Sequence, residues 1–158
     1  MLRGFRRRLG LMVSWLFSKP LQVGETAPDF TLRDQDGRSV SLQGLRGRNI
    51  VLVFYPANDT TICTQQLCEF RDSWGLVDSK DAVVFGVNPA NEEKHAQFIA
   101  KHDFPFSLLA DPGQKVGELY HTKGLIMKRT VYLIGKSGKI RYARRGKPVP
   151  QEVLAAAE

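Results

Sequence analysis

Three unbroken apolar runs constrain this 158-residue chain more than any other feature. They are Asn49-Ile-Val-Leu-Val-Phe-Tyr55, Ala82-Val-Val-Phe-Gly-Val87 and Thr130-Val-Tyr-Leu-Ile134. Each has strand length, and continuous apolarity in place of alternation predicts a strand covered on both faces. A helical stretch from Thr60 to about Ser79 separates the first two. A second helix, Asn91 to His102, and a short piece around Gly113–Tyr120 separate the second from the third. A Pro/Gly-punctuated opening, Val23 to Asp36, leads to a short Ser39–Leu42 strand and a turn at Gly44–Gly47. Gly135-Lys-Ser-Gly138 is a hairpin turn into Lys139–Arg144, and Pro150–Ala157 closes as a helix. Strands separated by helices predict an α/β sheet with an antiparallel hairpin at one edge. No repeat, low-complexity tract or long linker follows Leu21, so one domain is expected over 21–158, behind an N-terminal tail of residues 1–20.

Charge and cysteine content remove several function classes. The net charge of +7 is concentrated in the tail: Arg3, Arg6, Arg7, Arg8 and Lys19 face no acid within the first nineteen residues. The remaining 18 bases and 16 acids leave only +2, so no domain-wide footprint for nucleic acid exists. Two cysteines are too few for a disulfide framework or a four-thiolate zinc site. No Cys/His spacing resembles a metal set, and His95, His102 and His121 read as ordinary surface residues. No metal or cofactor is expected.

The tail leaves three readings open. Its basic start and the apolar Leu9–Phe17 stretch have the order of a secretory signal, but no small-x-small cleavage site precedes Lys19-Pro20. A helix of that stretch rises about 13 Å, against a hydrocarbon core of about 30 Å, so it does not span. A loose tail, contact with an anionic membrane surface through Trp15, Leu16 and Phe17, and export all stand, with the cytoplasm the expected compartment.

Cys63 is the chemical candidate. It follows the first apolar run across Pro56-Ala57-Asn58-Asp59-Thr60-Thr61-Ile62, and the crevice beyond the carboxyl ends of strands is the usual working surface of an α/β sheet. Asp59, Thr60 and Thr61 are natural N-cap residues, which predicts Cys63 in the first helical turn. There the unpaired backbone N–H groups and the helix dipole favour a thiolate.

Pro56, Thr60 and Cys63 form the string P-x-x-x-T-x-x-C within FYPANDTTICTQQLCEFRD, which resembles the active-site signature of the peroxiredoxins. Cys63 and Cys68, five apart, match the peroxiredoxin Q or bacterioferritin comigratory protein subgroup. VGETAPDFTLRDQDGRSVSL, FPFSLLADPGQKVGELY and RTVYLIGKSGKIRYARRG extend the resemblance from Val23 nearly to the C-terminus. It implies a thioredoxin-like fold, a central mixed sheet flanked by helices with an N-terminal extension. It also implies a thiol-dependent peroxidase acting on hydrogen peroxide and organic hydroperoxides, with Cys63 as peroxidatic nucleophile. Cys68 is implied as resolving thiol through a Cys63–Cys68 disulfide, and a thioredoxin-type protein as reductant. Arg129, at the start of the last apolar run, matches the arginine that completes the family's site.

The chemistry explains why each position is needed. A thiol with pKa near 8.5 is about 3% thiolate at pH 7, and lowering the pKa to about 6 gives roughly 90%. Nucleophilicity falls with pKa, and a Brønsted slope of about 0.4–0.5 takes back about tenfold. Thiolate supply alone therefore gives only a few-fold, and the rest must come from polarising the peroxide in a preorganised site. Thr60 offers a hydroxyl for this. Arg129 offers a planar, permanently charged fork. Pro56 fixes the loop and shields the sulfur, and Gln66 is a candidate to hydrogen-bond across the site. In a regular helix, residues five apart have Cα atoms about 8–9 Å apart, beyond the disulfide limit of about 7 Å, so bridging Cys63 to Cys68 requires local unwinding.

Other features fit less closely. Gly86-Val87-Asn88-Pro89 stands where many relatives carry a serine, and the Gly124–Lys128 approach to Arg129 is unusually apolar and basic. Lys136, Lys139, Arg141, Arg144, Arg145 and Lys147 read as a solvated hairpin face. A thioredoxin-superfamily disulfide oxidoreductase is the rival enzyme, although it would want C-x-x-C. A noncatalytic basic module binding membrane or nucleic acid is the rival from another class. A monomer or weak dimer is expected.

Overall fold

The computed structural model describes residues 18–158, and the readings that fall within residues 1–17 lie outside it. One seven-stranded mixed sheet organises the chain. Its strands are β1 (Thr31–Asp34), β2 (Ser39–Ser41), β3 (Asn49–Phe54), β4 (Ala82–Asn88), β5 (Ser107–Ala110), β6 (Thr130–Ile134) and β7 (Ile140–Arg145), in the order β2-β1-β5-β4-β3-β6-β7. The helices are α1 (Thr61–Asp72), α2 (Trp74–Ser79), α3 (Glu92–His102), α4 (Lys115–Leu119) and α5 (Pro150–Leu154). This is a thioredoxin-like arrangement: β3, β4 and β5 run parallel, and β6 returns antiparallel to β3.

The apolar runs form the centre of the sheet because their side chains have a core on either side. All six residues of β3 and all five of β6 are buried. Leu52, Phe54 and Tyr132 face one cluster with Phe30 and Tyr120, while Val51, Val53 and Val131 face another with Leu67, Phe70 and Phe98. Phe54, Tyr120 and Tyr132 pack with ring centroids 5.4–6.1 Å apart.

Three expectations need correction. The stretch read as one helix from Thr60 to Ser79 is two, broken at Ser73, whose N–H bonds back to the carbonyls of Glu69 and Phe70. No proline marks the break; Gly75 follows it in the second helix, and the Trp74 ring packs 6.1 Å from that of Phe106. Strand β5 is not announced by the sequence because its four residues, Ser-Leu-Leu-Ala, carry no period of their own, and β4 and β1 on its two sides hold it extended. His95 is not a surface residue but fully buried. It shares a face with Phe98, Ile99 and His102, spaced as an inward helical stripe, and this face packs on β5 and β1. His102 is likewise half-buried, stacked 5.5 Å from Phe104, whereas His121 is exposed.

Candidate active site

Strand pairing brings the site together. Phe54, the last residue of β3, is registered against Thr130, the first of β6. The chain leaving β3 through Tyr55 and Pro56 therefore emerges beside Arg129, which enters β6. The loop Pro56–Thr60 turns sharply at Asp59, whose φ is +60°, and delivers α1 with Thr60 as its N-cap residue. Aspartate tolerates this left-handed geometry better than most residues.

Thr60 has the extended backbone of an N-cap, but its side chain makes no capping bond; its hydroxyl donates to the carbonyl of Ala57 at 3.5 Å. The first α-helical bond runs from Thr64 N–H to Thr60 C=O, which leaves the N–H groups of Thr61, Ile62 and Cys63 without a helical partner. Cys63 is third in the helix and 1% exposed. Arg129 meets it: Nη2 donates to Cys63 Sγ at 3.1 Å, and Nη1 donates to Gln66 Oε1 at 2.7 Å. One guanidinium therefore holds the sulfur and, one turn along α1, a buried amide that fixes its plane. Gln66 Nε2 in turn donates to the carbonyl of Gly146 at 3.5 Å, and Gly146 N–H donates to the carbonyl of Arg129 at 2.8 Å. Gly146 can close this ring because its φ is +93°, a conformation that side-chain-bearing residues rarely adopt.

The sequence-predicted residues thus divide. Cys63, Arg129 and Gln66 form one hydrogen-bonded cluster. Pro56 and Thr60 lie on the loop that presents it. Cys68 is half-buried further along the same helix, and both thiols are free. Lys147, from the supposed solvated basic cluster, reaches α1 and pairs with Glu69 at 2.6 Å. Arg145 is half-buried, with its guanidinium on Thr130 Oγ1 and the carbonyl of Ser18 at 2.7 Å each.

Sequence reasoning missed a polar layer behind the loop. Tyr55 Oη donates to Asn58 Oδ1 at 2.6 Å, and Asn88 Nδ2 donates to the same oxygen at 3.0 Å. Burial, reinforced by the charges of Cys63 and Asp59, pushes the Tyr55 phenol far above its usual range, so it remains a donor. Asn58 Nδ2 faces His95 Nδ1 at 3.1 Å. The helical stripe of His95 with Phe98 was the legible signal for this burial. Among the described residues, no group of His, Cys, Asp or Glu is arranged to hold a metal ion, and no helix is long and apolar enough to cross a membrane.

A buried cysteine at a helix start, bonded by a guanidinium and preceded by a proline-and-threonine loop on a thioredoxin-like sheet, is a candidate site for thiol chemistry. Comparison with known proteins makes the class specific. The model of the AhpC/TSA family matches residues 23–143. Peroxiredoxin Bcp of Bacillus subtilis is 35% identical over 147 residues, which cover 87% of this chain and 94% of that protein. A putative chloroplastic peroxiredoxin Q of Oryza sativa subsp. indica is 39% identical over 133 residues, covering 82% of this chain but 61% of the relative's length. Among solved structures, peroxidoxin BcpB of Mycobacterium tuberculosis aligns with a TM-score of 0.81 and 28% identity, over 86% of this chain and 96% of that one. The fold also matches a cysteine-to-serine mutant of PrxQ from Xylella fastidiosa, with a TM-score of 0.79, 24% identity, and 87% and 96% coverage. The chain belongs to the AhpC/TSA family and, within it, to the peroxiredoxins of the Q and Bcp kind.

Proposed function

We propose that the chain is a thiol-dependent peroxidase that reduces hydrogen peroxide and organic hydroperoxides. The observation that carries this reading is the 3.1 Å bond from Arg129 Nη2 to the sulfur of a buried Cys63. The Cys63 thiolate attacks one peroxide oxygen in line. The O–O bond breaks, and the other oxygen leaves as hydroxide or alkoxide, taking up a proton to become water or an alcohol. Cys63 is oxidised to sulfenic acid. Arg129 acts at this step, its fork shared between the sulfur and the oxygen being attacked, so charge passing from sulfur to oxygen stays beside a fixed cation. Thr60 supplies a hydroxyl to the bound peroxide, and Pro56 keeps water from the sulfur.

Cys68 then displaces the sulfenic oxygen as water and forms the Cys63–Cys68 disulfide. A thioredoxin-type dithiol reduces it, becoming a disulfide in turn. The working unit is residues 21–158, as a monomer or weak dimer, with residues 1–20 accessory and open to membrane-surface contact. The cytoplasm is the proposed compartment, with a thioredoxin-type reductant at hand. The disulfide oxidoreductase alternative is disfavoured by the five-residue spacing.

Peroxide consumption coupled to a thioredoxin-type reductant tests the cycle. Cys63→Ser abolishes consumption. Cys68→Ser completes one stoichiometric turnover and then stops. Undiminished activity in Cys63→Ser ends the proposal.

A further inference from the structure

His95 is a fully buried titratable side chain that the reaction above does not use. Its two ring nitrogens face different structures. Nε2 lies 3.1 Å from the carbonyl of Leu109 in β5, and Nδ1 lies 3.1 Å from Asn58 Nδ2 in the Pro56–Thr60 loop. A backbone carbonyl can only accept, so Nε2 carries the proton and Nδ1 is a bare acceptor.

The far end of the chain fixes the same polarity independently. Ala90 N–H donates to Asn88 Oδ1 at 2.8 Å, which turns Asn88 Nδ2 toward Asn58. Asn58 Oδ1 then accepts from Asn88 and from Tyr55 Oη, so its NH2 must point at His95. Reversing any one amide sets donor against donor or carbonyl against carbonyl. The backbone at Ala90, just beyond β4, and at Leu109, in β5, dictates one arrangement of four side chains. In that arrangement, Asn58 is the only member that lies in the loop between Pro56 and Thr60.

Resting on the peroxidase reading, we infer that His95 is a positioning residue. Through Nδ1 and Asn58, it holds the Pro56–Thr60 loop in the geometry that presents Thr60 to a peroxide bound at Cys63. The effect concerns peroxide placement and not the sulfur itself, because Arg129 grips Cys63 from β6, on the other side of β3. Small displacements of a substrate-positioning group cost large factors in rate.

Two substitutions separate the ring's two functions. His95→Asn keeps an acceptor near the Nδ1 position and loses the reach to Leu109. His95→Gln keeps a donor near the Nε2 position and loses the acceptor for Asn58. Single-turnover reduction of hydrogen peroxide should fall about tenfold or more in His95→Gln and stay within about threefold of wild type in His95→Asn. Alkylation of Cys63 by iodoacetamide, which needs the sulfur but no bound peroxide, should stay within about twofold in both. Asn58→Ala, which also removes the acceptor shared by Tyr55 and Asn88, should lose at least as much as His95→Gln, and the double variant no more than Asn58→Ala alone, since the His95 contact is already gone. Equal loss in His95→Asn and His95→Gln, or no loss in either, overturns the inference. So does a fall in alkylation that parallels the fall in peroxide reduction, the result expected if the site has merely loosened.

Failure of the wild-type protein to consume peroxide would instead count against the peroxidase reading. The loop contact would still be decided by 15N NMR of the His95 ring. Nε2 protonated with Nδ1 bare sustains the contact, and the opposite tautomer or a doubly protonated ring at pH 7.5 refutes it.

Discussion

At the residue scale, the site depends on a few side chains whose alternatives are blocked. Gln66 is fully buried on α1 and satisfied from two sides, by Arg129 and by Gly146. In the proposed reaction, a guanidinium so held is already oriented, which is the preorganisation that a fast displacement requires. His95 is the residue whose protonation should appear in stability. Burial lowers its affinity for a proton below the ordinary value of 6.5, against smaller opposing effects from the Leu109 carbonyl, the Glu92 charge and the Asn88 carbonyl. As pH falls through 6.5, the unfolded chain takes up this proton and the folded chain does so only at lower pH. Over that interval, proton uptake favours unfolding. Urea unfolding of the wild type should therefore lose stability between pH 7.5 and 5.5 more steeply than that of His95→Gln. Parallel pH dependences would contradict the assignment. Cys63 and Thr60 were legible as residues because their spacing is itself the signal. His95 was not, because EEKHAQFIAKH reads as a polar helix until its one apolar face is counted.

At the scale of the element, the proposed cycle requires α1 to serve two states. It runs unbroken from Thr61 to Asp72 through both cysteines, so a disulfide between them requires about one turn to open. Opening is resisted by the fully buried Leu67 and Phe70, by the Gln66 contacts, and by the Lys147–Glu69 pair at 2.6 Å. The expected consequence is a redox-dependent helix. Amide hydrogen exchange across residues 61–70 should be markedly faster after one equivalent of peroxide than in the dithiol form. Identical protection in the two states would contradict the intramolecular pairing. The sequence forecasts the start of α1 through its loop and cap residues, but not its end at Ser73, where no proline marks the boundary. Strand β5 was hidden for a related reason, since SLLA is extended only because of what lies on either side.

At the scale of the whole molecule, the proposed site is a matter of register. Cys63 and Arg129 are 66 residues apart in sequence. They meet because β6 lies antiparallel to β3, with Thr130 opposite Phe54, so a strand's exit and another strand's entry share one end of the sheet. The apolar runs announced both strands, but not their adjacency or relative direction, which emerge only when seven strands share one core. The family resemblance supplied the pairing of Arg129 with the site, and the register supplies its physical cause.

The most direct test of this account is the second-order rate of hydrogen peroxide reduction by Arg129→Lys, measured beside wild type under single-turnover conditions. Lysine keeps the charge but loses the fork that spans the sulfur, the peroxide oxygen and Gln66. The account predicts a loss of about a hundredfold or more, the scale of removing one preorganised donor from a developing oxyanion, in a protein whose sheet and thermal stability are otherwise retained. A rate within a few-fold of wild type would contradict it.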